Sequence, residues 1–207
     1  MKIKKIINLC KASNTILLYN DEENGVQYLS NGHGIYMFSI KPPITTATVC
    51  ILNDIDDKKQ ADMYIETESI KDLEKINVSD SIATDLSAEL ADIAIVSSGV
   101  TLAPFYSEIG ILLIDKSYLS PFSSKEELTY CIRTTPTGQP YLCVMKGLLF
   151  CAAIMPMTIA KTLITDIEKL QGELICGYEL QKQNEEKRLA SFKTSESDID
   201  IFDNEIK

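Results

Sequence analysis

Residues 15–40 read TILLYNDEENGVQYLSNGHGIYMFSI, and this stretch decides the fold. Three runs rich in Ile, Leu, Val, Tyr and Phe, at 15–20, 25–30 and 35–40, are separated by Asp21–Asn24 and Asn31–Gly34. Both separators carry turn residues, and Gly25, Gly32 and Gly34 can adopt φ > 0 without a Cβ penalty. The pattern predicts three short strands in an antiparallel meander. Before it, Ile3, Ile6, Ile7 and Cys10 recur at i, i+3, i+4, i+7, while Lys4, Asn8 and Lys11 fall elsewhere. That spacing predicts an amphipathic helix with a basic outer stripe.

Beyond the third run, Lys41-Pro42-Pro43 stops the strand, because proline cannot donate to a ladder. Residues 44–105 are less legible. The segment 47–52 reads as a strand or short helix, 56–62 as a polar connection, 63–67 as a strand, 70–76 as one or two helical turns and 91–97 as a strand. From Gly110 the pattern sharpens, with GILLID a buried strand, a short helical or turn region broken by Pro121, and ELTYCIR (127–133) another strand. YLCVMKGLLFCAAIMP (141–156) is two strands hinged at Lys146-Gly147. The second half therefore ends in a meander as the first does.

The expectation is an α+β fold of two small helix-plus-antiparallel-sheet units, 1–62 and 63–160, followed by a C-terminal helix and acidic tail over 161–207. In the helix, Leu163, Ile167, Leu170 and Leu174 would form a partner face. Past Gln181 the composition turns polar, and residues 189–207, with five acids and two lysines, read as a disordered tail.

At 207 residues with 45% hydrophobic and 24% charged, the chain can bury a real core and is not a low-complexity sequence. A net charge of -10 argues against a protein coated in basic residues, although Lys4 and Lys11 could face a phosphate backbone locally. No apolar run of 18 residues occurs, and the lysines interrupting the first 11 residues do not suit a signal peptide. A cytoplasmic protein without membrane association is expected. The six cysteines stand singly among aliphatic residues and read as small buried hydrophobes. One histidine, His33, leaves no Cys2His2 zinc set and no Cys/His or Ser/His pair except through itself. Asp54, Asp56 and Asp57 lack calcium-loop spacing and read as a solvated face. No cofactor and no catalytic residue are nominated. His33 is first a polar residue in a glycine turn, since general-base work requires a partnered nucleophile.

Two segments carry a resemblance. YLSNGHGIYMF (28–38) resembles the strand–TDGHRL–strand element of bacterial DNA polymerase sliding clamps, and AAIMPMTI (152–159) is similar to the VMPMRL ending of their last domain. Position by position, Ser30 stands for Thr, Asn31 for Asp, Ile35 for Leu, and Gly32 and His33 are kept. Gly34 replaces an Arg. Met155, Pro156 and Met157 are kept, with Thr158 where the family has Arg. The resemblance implies a reduced two-domain clamp whose groove, bordered by Ser30, Gly32, His33, Ile35, Met155, Pro156 and Met157, receives short peptides of replication proteins. It also implies a homo-oligomer that meets duplex DNA through Lys4 and Lys11. Asp198-Ile199-Asp200-Ile201-Phe202 looks like the clamp-binding pattern Gln-Leu-Ser/Asp-Leu-Phe, although an ordinary acidic tail explains it as well. The alternative is a structural or interaction protein, encoded by a mobile element, that oligomerises through its C-terminal helix without DNA. A small hydrolase using His33 is a third reading.

Overall fold

A computed structural model describes residues 1–158 except 74, 98 and 124, and residues 169–187 except 171 and 174. The fold is α+β. The first helix, α1 (Ile3–Ala12), turns Ile6, Ile7 and Cys10 inward and leaves Lys4 and Asn8 exposed, as its spacing demands. Full burial of each isoleucine contributes about 1.5–3 kcal/mol. Lys11 lies in the last turn, where a cation complements the negative end of the helix dipole.

The meander follows as β1 (Thr15–Asp21), β2 (Val26–Ser30) and β3 (Gly34–Phe38), paired antiparallel in sequence order. The later meander is β9 (Thr129–Thr134), β10 (Pro140–Lys146) and β11 (Leu149–Ile154). The two meanders join through their last strands, with Tyr36 opposite Ala152 and Ile35 opposite Ala153. Each is preceded by a helical element, α1 for the first and a single 3₁₀ turn, Lys116–Leu119, for the second. Pro121 follows the C-cap Ser120 of that turn, and among the described residues no α-helix forms there.

Residues 44–105 are where the structure corrects the sequence reading. Residues 47–52 belong to a helix, α2 (Thr46–Leu52), whose N-cap Thr45 accepts a hydrogen bond from the Thr48 amide at 3.1 Å. The polar connection contains a short helix, α3 (Asp57–Ala61), capped by Asp56 through the Lys59 amide at 2.8 Å. The strand expected at 63–67 is β4 (Tyr64–Ser69), and it pairs in parallel with β1, so Thr15 faces Tyr64 and Asn20 faces Ser69. The boundary expected at 62/63 therefore falls inside one compact unit, Met1–Met157. Among the described residues of the expected helical turns, Ile70–Asp72 are helical, as 3₁₀.

Two strands escaped the reading, β5 (Leu86–Leu90) and β7 (Val100–Ser107); between them β6 (Ile95–Ser97) is shorter than expected. β8 (Gly110–Asp115) pairs with β7 along its length, so β5 and β6 share the opposite edge. Leu86–Ala88 of β5 ladder to β9, and its last two residues ladder to β7. The resulting sheet runs β4-β1-β2-β3-β11-β10-β9-β5-β7-β6, with β8 on β7.

The central strands are buried on both faces. One core gathers α1, α2 and the inner sheet face around Ile16, Leu29, Tyr36, Phe105, Leu142 and Ile154. The other lies on the opposite face around Tyr28, Ile35, Tyr141, Cys143, Phe150 and Ala153, with Leu73, Ile76 and Val78 packed against it. Two-sided burial explains why 141–145 reads as an unbroken apolar run rather than an alternating one.

Thr158–Lys207 form the second compact unit. Within it residues 175–187 are helical, and Leu170, Ile175, Tyr178 and Leu180 are exposed. Leu163, Ile167, Leu174 and the acidic tail lie outside the described residues. All six cysteines are free thiols; Cys10, Cys50, Cys131 and Cys143 are buried as expected, whereas Cys176 is exposed. Among the described residues no helix is long and apolar enough to cross a membrane.

Candidate functional site

The turn between β2 and β3 is built by Asn31. Its Oδ1 accepts from the amides of His33 at 3.1 Å and Gly34 at 2.8 Å, while its own amide donates to the Gly34 carbonyl at 3.2 Å. The Asx geometry replaces bonds that the ladder cannot make at a tight reversal. Gly32 takes φ 85°, which a residue with a Cβ rarely adopts, and its amide donates to Ser30 Oγ at 3.1 Å. Gly34 has no positive φ and is required for space instead. A Cβ there would lie 2.9 Å from Tyr36 Oη, and Tyr36 is fully buried. The Arg that the clamp resemblance places at this position has no room beside that ring.

At the far end of the chain, the amide of Met155 donates to the carbonyl of His33 at 2.8 Å. Ser30, Gly32, His33, Ile35 and Met155 line one cavity of about 380 Å³. This size suits a small ligand or a few side chains of a peptide. Pro156 and Met157 do not line it: Pro156 is half-buried, and the Met157 amide donates to the Leu113 carbonyl of β8 at 2.8 Å. The His33 ring stacks on Tyr118 with centroids 6.3 Å apart. Tyr118 also accepts, through its carbonyl, a hydrogen bond from Tyr36 Oη at 2.9 Å.

Several lining residues were not nominated from sequence. Leu17 and Ala153 extend the apolar floor; Leu73, Lys75 and Ile76 form a wall; Thr135, Thr137 and Gln139 supply polar groups from the β9–β10 loop. The Leu73 and Ile76 spacing was visible, but not what they pack against.

The wall is held by a buried cation that sequence reasoning passed over. Arg133, 5% exposed, donates from Nε to Asp85 at 2.6 Å and from Nη2 to the same carboxylate at 2.9 Å. Its remaining donors reach the carbonyls of Asn77, Ser79 and Asp80 at 2.7–3.1 Å. Every guanidinium N–H is thus satisfied, which is what burial of a charge requires. Tyr141 Oη accepts from the Asn77 amide at 2.9 Å, and Asp80 accepts from the Phe150 amide at 2.9 Å. The Arg133 hydrogen bond holds the Asp85 carboxyl below the usual carboxylate range. Its signal in sequence was a single charged residue in the apolar run TYCIRT.

Of the two lysines assigned to a DNA-facing surface, Lys4 is exposed on α1, whereas the Lys11 ammonium donates to the Asn53 carbonyl and is half-buried. A second cavity, of about 350 Å³, is lined by Asp21, Glu22, Glu23, Glu68 and Lys71 among others and lacks an apolar floor. Among the described residues no His, Cys, Asp or Glu cluster is arranged to hold a metal ion. In comparisons with known proteins, the chain matches no family model, no curated protein and no solved structure.

Proposed function

We propose that the protein is a noncatalytic docking platform similar to a reduced sliding clamp, whose groove beside His33 and Met155 receives short apolar peptides of replication proteins. One observation carries the reading. The turn Ser30–Ile35 and Met155, which the resemblance pairs across most of the chain, border a single cavity and share a main-chain hydrogen bond. An apolar floor with polar groups at its rim is the chemistry that an extended peptide with alternating anchors needs. Oligomerisation and contact with duplex DNA through α1 belong to the same proposal.

Titration of the full chain with a fluorescent peptide of residues 196–204 tests the groove. Binding in the range of ~10–1000 μM is expected for a short disordered ligand. Met155→Glu should abolish it, because it puts on the apolar floor a charge of the same sign as the acidic peptide. Undiminished binding by that variant would place the peptide elsewhere and end the reading.

A further inference from the structure

We infer that Lys75 makes the groove selective for extended peptides that carry a carboxylate beside their apolar anchors, an inference that rests on the docking reading above. The floor and walls of the cavity are formed largely by aliphatic side chains and by uncharged polar groups of the β9–β10 loop. Lys75 is the lysine among them, and it stands between Leu73 and Ile76, which supply the apolar wall. Among the described residues it has no ion-pair partner. Lys71, four positions earlier, is by contrast neutralised by Glu23 at 2.7 Å.

The position of Lys75 is not left to a free loop. The following residues, Asn77–Asp80, are tied to buried Arg133 through their carbonyls, and the Leu73 and Ile76 side chains pack on the core below. Lys75 is thus an exposed residue on an anchored segment that lines the groove, where its charge can meet a group at the rim. A peptide that buries aliphatic or aromatic anchors on the floor brings its intervening side chain to the rim. A carboxylate there meets the Lys75 cation; an amide or hydroxyl brings no opposite charge to it. The segment Asp198–Phe202 of this chain has the required alternation and supplies a natural probe sequence.

The experiment compares two labelled peptides, acetyl-Asp-Ile-Asp-Ile-Phe-amide and acetyl-Asn-Ile-Asn-Ile-Phe-amide, by fluorescence polarisation on the full chain. The ratio of their affinities is the readout, so any competitor for the groove weighs on both. The acidic peptide should bind roughly three- to tenfold tighter at low salt, the range of an exposed to half-buried ion pair. Lys75→Gln should bring the ratio to about one, Lys75→Arg should keep it, and roughly 0.5 M salt should erase it in the native chain. Equal binding of both peptides by the native chain, or an acidic preference that survives Lys75→Gln, overturns the inference and leaves the groove standing. Failure of both peptides to bind overturns the groove reading and this inference with it.

Discussion

The amide of Met155 donates to the carbonyl of His33 at 2.8 Å, which ties the end of the last strand to the first tight turn after β2. The bond continues the β3–β11 ladder, in which Gly34 lies opposite Ile154, and makes the turn's shape depend on residues at the other end of the compact unit.

Gly34 is the weak point of that junction. A Cβ there would lie 2.9 Å from the hydroxyl of Tyr36, which donates to the Tyr118 carbonyl at 2.9 Å. Gly34→Ala must displace a rigid, fully buried ring and should lower unfolding free energy by about 1–3 kcal/mol. Tyr36→Phe leaves the ring in place but orphans the carbonyl, at a cost of about 1–3 kcal/mol. Urea unfolding of the two single variants and the double variant checks this. Because both act through the same ring, the double variant should cost less than the two costs added; strict additivity would show that Gly34 does not control Tyr36.

The Asp85–Arg133 pair makes stability depend on acid. The folded pKa of Asp85 is depressed by the Arg133 hydrogen bond, so its contribution is fully present above the unfolded carboxylate value of 3.8 and is lost as pH falls below it through the folded value. Denaturant unfolding between pH 7 and pH 2 should show this loss in the native chain and a flatter acid limb in Asp85→Asn. At neutral pH, Asp85→Ala leaves a buried guanidinium without its carboxylate and should cost about 3–5 kcal/mol. An unchanged acid limb in Asp85→Asn would mean that other carboxylates govern acid unfolding.

DNA contact is tested at α1. If this helix faces duplex DNA, retention of circular duplex at low salt should fall steeply as salt rises, and Lys4→Glu with Lys11→Glu should abolish it. Lys4→Glu alone should weaken binding more than Lys11→Glu alone, because the Lys11 ammonium is already engaged by the Asn53 carbonyl. Absence of binding to any DNA at low salt would remove the clamp role and leave the groove to be judged separately.

Most of the periodic structure was legible in local chemistry. The α1 face, the meander at 15–38 and the hairpin around Gly147 follow from apolar spacing and turn residues, and such signals act within a few positions of their own Cα atoms. Within 44–105, α2 and β4 follow from local pattern, whereas β5 and β7 do not, for the same reason. β5 is short and mostly exposed, and β7, eight residues long and buried over Leu102–Phe105, lacks clean alternation; both are completed by the hydrogen bonds of neighbouring strands.

The groove divides along that line. Ser30, Gly32, His33, Ile35 and Met155 are groove residues in the sequence reading only through the clamp resemblance, whereas the glycine turn among them is a local property of Asn31 and Gly32. Which residues face them was a tertiary matter. Leu73, Lys75 and Ile76 line the groove beside a segment whose carbonyls Arg133, a distant strand residue, captures, and Gly34 is required for space because Tyr36 crowds the place a Cβ would take. Local sequence specifies α1, the meander at 15–38 and the last hairpin, since backbone propensity and apolar period act at short range. The fold alone decided their partners, because a buried charge or ring draws its cost and its satisfaction from whatever the chain brings against it.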